Sequence, residues 1–84
     1  MDYKLLWIDD EIELLTAHRL FLEKKGYEVE TASNGYDALD KCAEQAFDLI
    51  LLDENMPGLS GLETLQRIKE VCPSTPVVMV TKSE

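Results

Sequence analysis

Two hydrophobic periodicities alternate along this chain, and that alternation restricts the possible folds more than any other feature. Residues 3–8 (Tyr-Lys-Leu-Leu-Trp-Ile) form a short apolar run that stops at Asp9. Residues 11–25 then carry Leu14, His18 and Phe21, with Leu15 and Leu22, at helical spacing, and Gly26 is placed to end that helix in a left-handed conformation. Residues 27–32 alternate as a half-buried or edge strand. Asn34-Gly35 punctuates the chain, and residues 36–46 show the stripe Leu39, Cys42, Ala43, Ala46 of an amphipathic helix. Residues 47–52 (Phe-Asp-Leu-Ile-Leu-Leu) read as a strand buried on both faces. A Pro/Gly loop follows at 56–61. Ser60 and Glu63 have capping-box spacing and open a helix bearing Leu62, Leu65 and Ile68. Pro73 and Pro76 break it, and residues 77–80 (Val-Val-Met-Val) make a last strand.

The order βαβαβαβ implies a doubly wound parallel sheet with right-handed crossovers and helices on both faces. With 84 residues, 45% of them apolar, the chain supports one domain with a modest core. Its 17 acidic and 8 basic residues give a formal charge of −9, which argues against binding nucleic acid or an anionic membrane. No secretory signal and no apolar run of membrane-spanning length is present, so a soluble, cytoplasmic chain is expected. Cys42 and Cys72 lack metal-ligand spacing and fit two reduced, buried thiols better than zinc or a disulfide scaffold.

In doubly wound sheets ligands bind beyond the carboxyl ends of the strands, where the strand order reverses. Those ends hold Asp9, Asp10 and Glu11 after the first strand, Asp53 after the third and Thr81 after the fourth. In a flavodoxin-like order the first and third strands are neighbours, so Asp10 and Asp53 meet at the switch point. Carboxylates crowded into one crevice repel each other, and a hard cation such as Mg²⁺ relieves that repulsion with oxygen ligands and retained waters. A metal, a carboxylate nucleophile and a nearby hydroxyl are the parts needed to move a phosphoryl group onto an acyl oxygen.

The motifs Asp9-Asp10-Glu11, Asp53-Glu-Asn-Met-Pro57-Gly-Leu-Ser-Gly61 and Val-Met-Val-Thr81, at these separations, resemble the receiver domains of bacterial response regulators over the whole chain. The resemblance implies a phosphoacceptor module of a two-component system rather than an enzyme in the ordinary sense, acting only in its own phosphorylation and dephosphorylation. It implies that Asp53 takes the phosphoryl group from a sensor histidine kinase. Asp10, Asp53 and the backbone carbonyl of Asn55 then ligate Mg²⁺, Asp9 holds a metal-bound water, and the Thr81 hydroxyl bonds a phosphoryl oxygen. Pro57 sets the turn and Gly61 lets the third helix pack closely. Trp7, Met56 and Met79 read as packing residues; Glu11, Glu54 and His18 read as solvated or unspecialised.

Against the family pattern, residues 1–84 correspond to the N-terminal two-thirds of a receiver, ending after the fourth strand. The later lysine that contacts the phosphoryl group is not among them, and Lys82 stands where the family usually has a small residue. The expectation is an incomplete sheet whose fourth strand offers an open edge, with self-association through residues 73–84. Two other functions compete: an inert or pseudo-receiver interaction module, and a phosphatase of the haloacid dehalogenase type. The second expects its DxD motif after the first strand, where this chain has Asp-Asp-Glu. Three runs, Phe-Leu-Glu-Lys-Lys-Gly-Tyr-Glu-Val, Asp-Glu-Asn-Met-Pro-Gly-Leu-Ser-Gly-Leu-Glu-Thr-Leu and Thr-Lys-Ser-Glu, further resemble receivers of Bacteroidota regulators tied to type IX secretion.

Overall fold

A computed structural model describes residues 3–80. The strands are β1 (Tyr3–Ile8), β2 (Tyr27–Ala32), β3 (Leu49–Asp53) and β4 (Val77–Val80), joined by the helices α1 (Thr16–Lys24), α2 (Gly35–Glu44) and α3 (Gly61–Val71). All neighbouring strands are parallel, in the order β2-β1-β3-β4. The strand order reverses beside β1, as the flavodoxin-like reading requires.

Each helix boundary has a local cause. Asn34 caps α2 by accepting the Asp37 N–H at 2.9 Å, while its own amide donates to the Asp37 carboxylate at 3.0 Å. Ser60 and Glu63 form the expected capping box at the start of α3. The chain leaves α1 through Gly26 at φ +100°, a conformation that costs glycine nothing. The stretch read as one helix over 11–25 begins differently. Ile12–Leu15 wind as a tighter 3-10 turn, and only from Thr16 does an α-helix run.

The two faces of the sheet are unequally filled. Leu6, Ile8, Ile50 and Leu52 pack with Ala32, Ala38, Cys42, Phe47, Met56 and Ile68 into one buried cluster under α2 and α3. On the other face α1 lies over Leu5, Trp7, Leu49 and Leu51 and buries none of its own residues fully. Leu22 and Leu15 are half-buried, whereas Leu14 is 77% and Phe21 58% exposed. Thus only one edge of the expected stripe on that helix reaches the sheet. β3 is likewise buried on its α2/α3 face but half-buried at Leu49 and Leu51.

Two further stripes are rotated from their expected positions. On α2 the buried line is Gly35, Ala38 and Cys42, with Ala43 and Ala46 exposed. On α3 it is Gly61, Thr64 and Ile68, with Leu65 half-buried and Leu62 62% exposed. Close approach between these helices causes the shift. A Cβ on Gly35 would collide with the Thr64 hydroxyl and the Leu59 side chain, so small residues, not large apolar ones, mark the contact.

Candidate functional site

The pairing of β1 with β3 sets the register Ile8↔Leu52, so the next residues of the two strands, Asp9 and Asp53, emerge side by side at the carboxyl end. Both ladders continue past that point. The Asp9 N–H donates to the Ala32 carbonyl and the Glu54 N–H to the Val80 carbonyl, each at 3.0 Å. The backbone beneath the two carboxylates is therefore fixed by the sheet rather than by a loop.

Asp9 is 1% and Asp53 0% exposed, while Asp10 faces solvent. One carboxylate oxygen from each of the three lies within 4.8 Å of the others. The two buried side chains are held by the same device. The Glu11 N–H donates to Asp9 Oδ1 at 2.8 Å, and the Asn55 N–H donates to Asp53 Oδ1 at 3.2 Å. In both cases an aspartate accepts from the backbone two residues on, which fixes the rotation of the carboxylate. In the sequence Glu11 reads as a solvated acid. Its side chain is exposed, but its N–H positions Asp9, and the signal was an Asp standing two residues before a turn.

Oxygen donors alone, converging from two strand ends with two of the three carboxylates out of solvent, suit a hard divalent cation. The donor set thus fits a metal of the magnesium or calcium type. Asn55, expected to contribute its carbonyl, lies in the adjoining loop with its N–H on Asp53. Thr81 and Lys82 lie outside the described residues.

The loop carrying Asn55 is shaped by residues that sequence reasoning only partly found. Pro57 precedes Gly58, whose φ of +79° demands glycine and allows the turn. Met56 and Leu59 fold inward as anchors. Gly61, expected to permit close packing, does so against the site itself. A Cβ there would stand 2.5 Å from the Asp53 carbonyl oxygen and 2.8 Å from that of Glu54. The first turn of α3 therefore rests directly on the backbone that carries Asp53. His18 is exposed on α1, and Trp7 is half-buried with its indole N–H buried and without a hydrogen-bond partner.

A parallel sheet with three carboxylates converged at its switch point defines a doubly wound domain with an acidic site at the carboxyl edge of its strands. The profile "Response regulator receiver domain" matches residues 5–84, and the chain belongs to that family. The transcriptional regulatory protein CpxR homolog of Haemophilus influenzae is 49% identical over 78 residues, covering 93% of this chain and 34% of its own length. The chain thus spans about a third of that relative. Among solved structures, Vibrio cholerae chemotaxis protein CheY4 superposes with a TM-score of 0.90 at 35% identity, covering 100% of this chain and 72% of its own. The Thermotoga maritima response regulator TrrA, solved in complex with Mg²⁺-BeF, gives 0.87 at 34% identity over 98% of this chain and 71% of its own. TrrA has also been solved in complex with the histidine kinase ThkA.

Proposed function

We propose that this chain takes a phosphoryl group onto Asp53 from a sensor histidine kinase, with Mg²⁺ bound beside it. The observation that carries the reading is a fully buried Asp53 converged with Asp9 and Asp10 at two adjacent strand ends. Asp9, Asp10, Asp53 and the Asn55 carbonyl would hold the ion, Asp9 through a bound water. When bound, Mg²⁺ supplies positive charge that offsets repulsion between the carboxylates and the phosphoryl oxygens.

The chain's own contribution is position. The Asn55 N–H orients Asp53, and the β1–β3 register keeps its carboxylate beside Asp9. In the transfer an Asp53 oxygen bonds to phosphorus, the P–N bond of the phosphohistidine breaks, and the departing imidazole takes up a proton. Thr81 is assigned the role of donating its hydroxyl to a phosphoryl oxygen. The kinase as partner class is supported by the TrrA–ThkA complex. A cytoplasmic location goes with this reading, and the narrower assignment to a type IX secretion regulator rests on the sequence runs alone.

The test is mass analysis after exposure to Mg²⁺ with a small phosphodonor or a phosphorylated kinase. One phosphoryl group should appear on Asp53 and none on the Asp53→Asn variant, because an amide is a poor nucleophile. A chain that binds Mg²⁺ yet takes no phosphoryl group from either donor would instead be an inert interaction module of the same fold. Among the described residues β4 pairs only with β3. Self-association through residues 73–84 would use its other edge, and a monomer in sedimentation at micromolar concentration would overturn it.

A further inference from the structure

The opposite end of the sheet holds a second reactive group of side chains. Cys42 faces the core from α2, and Cys72 caps the C-terminus of α3, half-buried and packed against the same apolar cluster. Both are free thiols. They line one open cleft together with Ala46, Phe47, Ser74 and Thr75, the residues that lead into β3 and β4. Thirty positions apart in sequence, the two thiols are brought together only because α2 packs directly on α3.

We propose that Cys42 and Cys72 form a redox-reactive pair that closes to an intramolecular disulfide when the protein meets a hydroperoxide. Two thiols that line one cleft, on helices packed against each other, are placed for the approach that such a bond requires. Their exposures divide the labour. Cys72, the more exposed, meets the oxidant: its sulfur attacks a peroxide oxygen, the O–O bond breaks, and a sulfenic acid and an alcohol (water, from hydrogen peroxide) result. Cys42 then attacks the Cys72 sulfur, the S–S bond forms, the S–O bond breaks, and hydroxide leaves as water with the proton from Cys42. Two thiols and one hydroperoxide give one disulfide, one alcohol and one water.

Burial first, then the charge and hydrogen bond of Cys72, push the Cys42 thiol up to about 12. Cys42 therefore holds its proton and is the poorer first nucleophile, and the part of the shift that comes from the charge of Cys72 ends once Cys72 is a neutral sulfenic acid. The bridge would tie α2 to the end of α3. It would leave the carboxylates untouched, since the length of β3 lies between the two ends of the sheet.

The test is to reduce the protein, treat it with hydrogen peroxide, then denature, alkylate and digest it with trypsin. Alkylatable thiols should fall from two per chain to none, with a cross-linked peptide joining the segment after Lys41 to the one after Lys69. In Cys72→Ser, Cys42 should remain alkylatable after the same exposure. In Cys42→Ser, Cys72 should run on to the sulfinic acid, because no second thiol intercepts the sulfenic acid. Circular dichroism establishes that each variant is folded, and the wild-type digest decides the matter even where a variant is not. Sulfinic acid at Cys72 of the wild type with Cys42 still alkylatable, or disulfides only between chains, would overturn the proposal.

Discussion

Replacing Gly61 by alanine tests whether the packing of α3 fixes the geometry of the carboxylate site. The added methyl would lie 2.5 Å from the Asp53 carbonyl oxygen, 2.8 Å from the Glu54 carbonyl oxygen and 2.9 Å from the Glu54 Cα. All three are backbone atoms, so no rotamer change relieves the contact, and α3 and the β3 terminus must separate. Overpacking of this kind costs about 1–3 kcal/mol. The opposing gain, from alanine's helix preference and a less flexible unfolded chain, is at most about 1 kcal/mol. From the middle of that cost range, about 2 kcal/mol, the net loss is about 1–2 kcal/mol, which for a domain of this size lowers the melting midpoint by roughly 4–16 °C. Because the displaced atoms belong to Asp53 and Glu54, Mg²⁺ response should weaken as well. That response is readable through Trp7, which lies on β1 two residues before Asp9. Gly35→Ala is the control: its methyl presses on the side chains of Thr64 and Leu59, not on the backbone of the site. It should lower stability while leaving the Mg²⁺ titration midpoint in place. An unchanged melting midpoint in Gly61→Ala, or equal Mg²⁺ affinity in both variants, would refute the reasoning.

Three other outcomes follow from particular contacts. Mg²⁺ at ten times its dissociation constant should stabilise the protein by about 1.4 kcal/mol in thermal unfolding, and Asp10→Asn, at an exposed position, should remove most of that gain without unfolding the chain. Ser60→Ala removes the hydroxyl that accepts the Glu63 N–H at 3.2 Å and should cost about 1 kcal/mol in urea denaturation, with the Mg²⁺ response unaltered. Alkaline stability should depend on Cys42. The unfolded thiol ionises near 9.0 while the folded one holds its proton up to about 12. The unfolded chain thus binds fewer protons in that range, so the contribution is complete below pH 9 and is lost as pH rises toward 12. Cys42→Ser should flatten this part of the stability–pH curve, and an identical slope in both proteins would count against it.

Element order was legible because strand and helix periodicities alternate cleanly and each change is punctuated. Asn34, Ser60 and Gly26 act where their chemistry is needed. Helix faces were less legible, because counting large apolar residues assumes that these make the contacts. At the α2–α3 contact the close approach is made by Gly35 against Thr64, so Ala38 and Thr64 are buried while Leu62 is exposed. On α1 the expected line through Leu14, His18 and Phe21 assumed α-winding from residue 11. The 3-10 turn at Ile12–Leu15 advances by a different angle per residue and carries Leu14 away from the sheet.

The carboxylate cluster was legible for a different reason. It depends on strand ends and on which strands are neighbours, and both follow from chain order in a doubly wound sheet. Side-chain identity carried Asp9, Asp10 and Asp53. Hidden were the groups that act through their backbone, the N–H donors of Glu11 and Asn55, whereas Gly61, whose bare Cα admits α3, was legible as a glycine. A backbone donor has no residue signature, since any amino acid but proline supplies it. The consequence reaches experiment. Glu11→Ala keeps the N–H that holds Asp9 and should leave Mg²⁺ binding nearly unchanged, whereas Glu11→Pro deletes it and should weaken binding severalfold. An equal loss in both would mean that the Glu11 carboxylate, not its amide, serves the site.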